Sequence, residues 1–368
     1  MPITWSEWSI ITPSESQPLK TQPGTAVNLV GSWLSTSDPS GAAYVCTGQG
    51  YNSWTAWQSV ADGGSIAGAG VTGATYNNSA WIAVVLADPL GGIFVSAAHA
   101  SVPGFVWGPW KNIPAKTTAA GSTVNAYSNY VTQGIDLYMT DATGVVSTAS
   151  GVPYGEWSGW SSPSDGSARA GSPVTMITYE NQPNIFIADP GGYIYTTFKD
   201  SYGYWVGWAW VSRGQAVPGA PVTAILVQER QSEPPYWTPG VISLFIADSL
   251  GDIFTVSGTP GNWGPWESVA GGRTIPGAKI TPLVYEDATG KVGLVLFSTD
   301  ENGSVQTTTK NSQTGVWNMW KPISNTSIFA PPGAPVSAIL WAVGQVAIFI
   351  SDIEGNVKTS TSITVTAD

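Results

Sequence analysis

Charge is what this 368-residue chain has least of: Asp, Glu, Lys and Arg together make up 10% of it. Cysteine is down to Cys46, which excludes an internal disulfide, and histidine to His99, which excludes the usual histidine-rich metal centres. No stretch reaches the roughly 18 consecutive apolar residues that a membrane-spanning helix needs. No G-x-S-x-G, no C-x-x-C and no glycine-rich loop opening a helix occurs, and His99 has no Ser or Asp close by in sequence. A hydrolase triad, a redox dithiol and a phosphate loop therefore have no signature here. The net charge of −11 and a pI near 4.4 argue against nucleic acid or an anionic membrane as partner. The opening MPITWSEW lacks the layout of a secretory signal. Sequons at Asn77, Asn302 and Asn325 are compatible with secretion, so a secreted or endomembrane location stays open.

The residues in excess are Gly (43), Pro (27) and Trp (19), the profile of many short strands joined by tight turns. They are ordered. A W-x-x-W pair occurs seven times, from Trp5/Trp8 through Trp54/Trp57, Trp107/Trp110, Trp157/Trp160, Trp205/Trp208 and Trp263/Trp266 to Trp317/Trp320. A D-x-x-G tetrad occupies the same place in each of seven units, at Asp38, Asp88, Asp141, Asp189, Asp248, Asp300 and Asp352. A third segment, PVTA in its clearest form at Pro221–Ala224, precedes each tetrad. Within a unit the order is PVTA segment, apolar strand, D-x-x-G turn, strand, W-x-x-W. Alternation in Ile242–Asp248 and Ile253–Val256 suits half-buried strands, and Asp with Gly three residues on marks a tight turn. No unit shows a helical period.

A period near 50 residues points to a repeat architecture. Four strands per unit and seven units predict an all-β protein, a single seven-bladed β-propeller over residues 1–368. The units run approximately 23–57, 68–110, 120–160, 170–208, 218–266, 276–320 and 331–368 plus 1–9. The last unit lacks its W-x-x-W while the chain begins with an unpartnered one. The N-terminal strand is therefore expected to complete the last blade and remove an open edge.

In such a fold the first strand of each blade lines a central channel. Aligning the PVTA segments places Asn28, Thr72, Asn125, Thr175, Thr223, Thr281 and Ser337 at one equivalent position, all small and able to hydrogen-bond. They either satisfy one another and water or face a ligand. Lys116, Arg169, Arg213, Arg273 and Lys279 all fall in or beside the loops entering first strands. Glu180, Glu229, Glu233, Glu286 and Asp287 fall on the opposite face. A basic channel mouth would suit carboxylate or enolate oxygens, unless these cations pair with the turn aspartates. One Trp of each pair is expected to pack against the next blade. Trp33, Trp81, Trp210, Trp237 and Trp341 have no repeat-wide role. Trp237, with Tyr236, lies in the insertion QERQSEPPYWTPG, a natural place for a ligand-facing aromatic. The seven aspartates lack the alternating oxygen ligands of calcium loops and read as turn residues.

IADPGGYIYTT, GNWGPWESV and IPGAKIT together resemble the fungal fucose-specific-lectin-like propeller superfamily, over essentially the whole chain. That resemblance implies sugars held between blades by an Arg, a Glu or Gln and aromatic residues. The four arginines cannot equip seven such sites. A weaker resemblance, of overall type, is to fungal hetero-Diels–Alderases of tropolonic sesquiterpene pathways. It implies a cofactor-free, metal-free enzyme that joins a terpene to a tropolone quinone methide by orientation and charge stabilisation. On that reading Arg213, Arg273, Lys279 and Arg169 would be catalytic, and Trp237, Tyr236, Thr223, Thr281 and Asn125 would hold the apolar polycyclic substrate. The alternative is a glycan-binding lectin. Homodimerisation is left open.

Overall fold

The computed structural model describes residues 4–11, 18–50, 53–100, 106–228, 240–286, 292–311, 314–323, 329–342 and 345–364. Among them there is no helix. The strands form seven small antiparallel sheets arranged as the blades of a seven-bladed propeller. Tyr236, Trp237, Glu229, Glu233, Asp287 and Asn325 lie outside the described residues.

Blade 5 shows the plan. Its inner strand Thr223–Val227 pairs with Val241–Ala247, which pairs with Asp252–Thr259, which pairs with the outer strand Glu267–Arg273. The alternation read in Ile242–Asp248 implies half-burial, but Ile242, Leu244, Phe245 and Ile246 are all buried. The reason is stacking: each blade is covered by a neighbour on either side, so its second strand has no solvent face. A second departure concerns the fourth strand. W-x-x-W only begins it, and the main outer strand follows the pair, as in Gln58–Gly64 after Trp57 or Lys111–Thr117 after Trp110. In blade 3 the outer edge is held instead by single bridges, Gly151–Trp157, Thr148–Ser161 and Val145–Ser167.

Both tryptophans of a pair, rather than one, face the preceding blade. Trp54, Trp263, Trp317 and Trp5 set the edges of their rings against Phe349, Phe186, Phe245 and Phe297 of that blade. The second member donates its indole N–H to a carbonyl there: Trp110 to Val60, Trp208 to Pro163, Trp266 to Val211 and Trp320 to Val269. In these four cases the facing residue is glycine (Gly63, Gly166, Gly214, Gly272), where a Cβ would lie within about 2.1 Å of the indole. Leu19 and Lys116 take that register opposite Trp57 and Trp160, and both indole N–H groups are buried without a partner among the described residues. Of the tryptophans outside the pairs, Trp33 is buried, Trp81 stacks on Tyr76 and Trp341 lies against Trp54. Trp210 stays 48% exposed, edge-on to Tyr193.

The ring closes as the unpaired N-terminal W-x-x-W implies. Thr4–Trp5 and Ser9–Ile10 both pair with the C-terminal strand Val357–Thr364. The closing segment runs on past the tryptophans: Ile11 N–H donates to Val357, Lys20 bridges Asn356 and Thr21 N–H donates to Gly355. Chain ends thus supply one sheet's inner and outer halves.

Candidate functional site

The seven turn aspartates do one job identically. In each, Oδ1 accepts the backbone N–H of residues two and four further on, as Asp248 does from Leu250 at 2.8 Å and Asp252 at 2.9 Å. The same pair of bonds recurs at Asp38, Asp88, Asp141, Asp189, Asp300 and Asp352. Among the described residues no group of His, Cys, Asp and Glu is placed to hold a metal.

The other carboxylate oxygen, Oδ2, divides the blades into two kinds, and the residue six positions after the Asp decides which. In blade 6 Gln306 donates to Asp300 Oδ2 at 2.6 Å, and in blade 7 Lys358 pairs with Asp352 Oδ2 at 2.9 Å. In blade 3 the position is Ser147, and Lys116 from the neighbouring edge reaches both Asp141 Oδ2 and the Ser147 hydroxyl at 2.8 Å. Blades 1, 2, 4 and 5 have an aromatic there instead: Tyr44, Phe94, Tyr195 and Phe254. In those four, Oδ2 of Asp38, Asp88, Asp189 and Asp248 has no partner among the described residues.

An aromatic cannot neutralise the carboxylate, and it leaves space. Crevices of about 340 and 290 Å³ open between blades in front of Asp38 and Asp88. The first is lined by Asp38, Pro39, Tyr44 and Trp57 together with Leu19 and Lys20 of the adjacent edge. The second is lined by Asp88, Pro89, Phe94 and Trp110 with Asp62, Gly63 and Gly64. Tyr195 with Trp208, and Phe254 with Trp266, pack in the corresponding clusters of blades 4 and 5. Arg213 precedes Gly214, which faces Trp266, just as Asp62 precedes Gly63 facing Trp110. Arg213 therefore holds on the blade 4 edge the register that Asp62 holds on the blade 1 edge.

The paired carboxylates have shifted acidities. Burial alone would push Asp141 and Asp352 up, but the ammonium partner, neighbouring side chains and turn amides outweigh it and hold both below the ordinary 3.8. A carboxyl depressed in the folded state adds stability above its unfolded pKa, and that stability is lost as pH falls through the lower folded value. Lys358→Met should accordingly lower the melting temperature at pH 7. The gap from the parent should close as both are acidified well below about pH 4. Thermal melts over that range check it; a gap that widens in acid would contradict the pairing.

The central channel forms the second candidate. Its mouth holds a cavity of about 630 Å³ lined by Asn28, Asn125, Thr175, Thr223, Lys279 and Thr281, with prolines between them. Most of the aligned polar residues have a structural task. Asn28 donates to Val71 and Asn125 to Val174, each at 2.7 Å, and Thr72, Thr175, Thr281 and Ser337 donate to Val124, Val222, Val336 and Val27. Each bond runs from one blade to the backbone of the next, and the last joins blade 7 to blade 1. Thr223 breaks the series, its hydroxyl lying 3.4 Å from Phe245 of its own blade.

The basic residues expected at one mouth are dispersed. Arg273 is 3.1 Å from Asp252, donates to the Leu250 carbonyl and is 56% exposed. Arg169 and Arg213 are exposed, and neither lines the cavity. Of the four, Lys279 alone lines it, and it brings Thr223, Thr281 and Asn125 with it. Sequence reasoning missed the aromatic-or-polar alternation six residues after each Asp, although the seven positions can be read off once the turns are aligned.

No protein-family model and no curated protein matches the sequence. Solved structures do. BP39L lectin from Burkholderia pseudomallei superposes with a TM-score of 0.78 at 19% identity over 95% of both chains. AofleA from Arthrobotrys oligospora gives 0.58 at 13% identity, over 88% of this chain and 91% of the other. Aleuria aurantia lectin, described as a six-bladed β-propeller with a novel fucose recognition mode, gives 0.51 at 13% identity over 80% and 92%. The likeness is one of fold: like these proteins, this chain is a β-propeller.

Proposed function

We propose that this protein is a glycan-binding propeller and that the sugars sit between blades, against the turn aspartates of blades 1, 2, 4 and 5. The observation that carries the reading is the pairing, in those four blades only, of an uncommitted turn carboxylate oxygen with an aromatic ring and a tryptophan. A carboxylate oxygen accepts strong hydrogen bonds from sugar hydroxyls, while the aromatic takes the apolar face of the ring. The turn amides hold Oδ1, so the receptor oxygen is positioned before the ligand arrives, which lowers the ordering cost of binding. Both crevices approach the lower size range of small-molecule pockets. Fold likeness to lectins supports this reading over a cofactor-free cycloaddition enzyme, which asks for basic groups converging on an apolar pocket.

Shallow sites of this kind bind weakly one at a time, with dissociation constants on the order of 1 mM, and gain from several on one molecule. A glycan array should therefore retain the protein, and titration with methyl α-L-fucoside and a panel of other methyl glycosides should identify the sugar. Lysine at the aromatic position reproduces the blade 7 arrangement, in which the cation occupies Oδ2. The Tyr44→Lys/Phe94→Lys double variant should therefore bind about half as many sugars per chain, with unchanged affinity at the rest. An array without signal, or an undiminished stoichiometry in that variant, would sink the proposal.

A further inference from the structure

The channel mouth is chemically unlike the crevices. Every side chain lining its cavity is neutral except Lys279, so the enclosed charge is positive in a protein of net charge −11. Lys279 makes no ion pair and no hydrogen bond among the described residues. Its surface is only partly covered, yet desolvation by the surrounding protein pushes its pKa below the usual lysine value. An ammonium held this way is destabilised until an anion joins it, because removal from water is compensated only by a partner.

The hydrogen-bond series around the channel is interrupted at the same place. By register, Thr223 would donate to the carbonyl of Ile280, the residue after Lys279, as its six counterparts do to theirs. Its hydroxyl instead has only the long contact to Phe245. A hydroxyl donor without a strong acceptor and a cation without a counter-charge thus face one cavity, at the junction of blades 5 and 6. The rest of the lining is mainly apolar, with Pro173, Pro221, Pro276, Pro335, Ile275 and Met176.

We propose that the channel mouth binds a small organic monocarboxylate, its carboxylate on Lys279 and the Thr223 hydroxyl and its apolar body against the prolines. One cation with one hydroxyl matches a single carboxylate; a phosphate dianion, with more oxygens and more charge, would leave acceptors unmatched. The volume of about 630 Å³ accommodates an aromatic or branched aliphatic acid. This site is separate from the crevices and stands whether or not they bind sugars.

Benzoate is the probe, with benzamide as its neutral counterpart, each titrated calorimetrically into the full chain at low salt. Benzoate should bind at least about tenfold more tightly than benzamide, a difference of roughly 1.4 kcal/mol. Lys279→Met should erase that preference while leaving benzamide unchanged, and should melt no lower than the parent, since it removes an unpaired charge. Thr223→Val should weaken benzoate about threefold to tenfold, the scale of one hydrogen bond to a charged group. Methyl α-L-fucoside should not compete. Equal affinity for benzoate and benzamide in the parent protein would overturn the proposal without need of any variant. So would a benzoate affinity that survives both substitutions.

Discussion

Removal of Met1–Ile11 is expected to lower the melting temperature by roughly 10 °C or more and to make the protein aggregate. The segment supplies the outer strand of blade 7 through its pairing with Val357–Thr364. It also buries Ile11, packs Trp5 and Trp8 into the core between blades 6 and 7, and places Ser6 in hydrogen bonds with Ser360 and Thr361. Loss of one fully buried Ile and two half-buried tryptophans alone exceeds about 4 kcal/mol of burial. The exposed edge of Val357–Thr364 then becomes a template for pairing with a second chain. Differential scanning calorimetry and light scattering measure both effects. An unchanged melt would mean that the N-terminal strand does not close the ring.

Gly251→Ala should be among the most damaging point substitutions at the turns, costing more than about 3 kcal/mol. Gly251 has φ +82°, and a Cβ there would lie 2.0 Å from the Thr274 carbonyl oxygen, a backbone atom at the end of the blade's own outer strand. Neither side can yield without breaking the Thr274 N–H bond to Gly251 that ties the turn to that strand. Gly261 separates the two contributions. It has the same φ of +82° but nothing within 4 Å of its Cβ. Gly261→Ala should therefore cost only about 1–2 kcal/mol, the penalty of the left-handed conformation itself. Chemical denaturation of the two variants checks the ordering, and equal destabilisation would show that the close approach is not what selects glycine.

Much of this molecule is local and hence legible in the chain. The turn Asp accepts amides two and four residues away, and the turn Gly adopts its φ within the same tetrad, so the seven turns announce themselves as D-x-x-G. W-x-x-W is legible for a related reason: every blade meets its neighbour through the same pair of indoles, so packing repeats with the sequence. The missing pair at one end and the spare pair at the other fixed the closure of the ring. That half-burial fails for Ile242–Asp248 follows from stacking on both sides, which a single blade's alternation does not encode.

The sites were less legible because they are made at junctions. Whether Asp141 Oδ2 is satisfied depends on Lys116, 25 residues earlier and on the adjacent blade, whereas Asp300 and Asp352 are satisfied from within their own strands by Gln306 and Lys358. Arg273, grouped by sequence with the channel mouth, turns outward because its own strand pairs it opposite Asp252. Thr223 and Thr281 occupy one repeat position and look equivalent in the chain. Only the relative placement of blades 5 and 6 leaves the first without a partner across the junction and sets Lys279 beside it. Sequence determined the repeat, the turns and the number of blades, since those depend on contacts a few residues apart. Tertiary structure alone decided which turn carboxylates keep an oxygen without a partner among the described residues and that Lys279 lines the channel mouth without one, because that balance is struck between neighbouring blades.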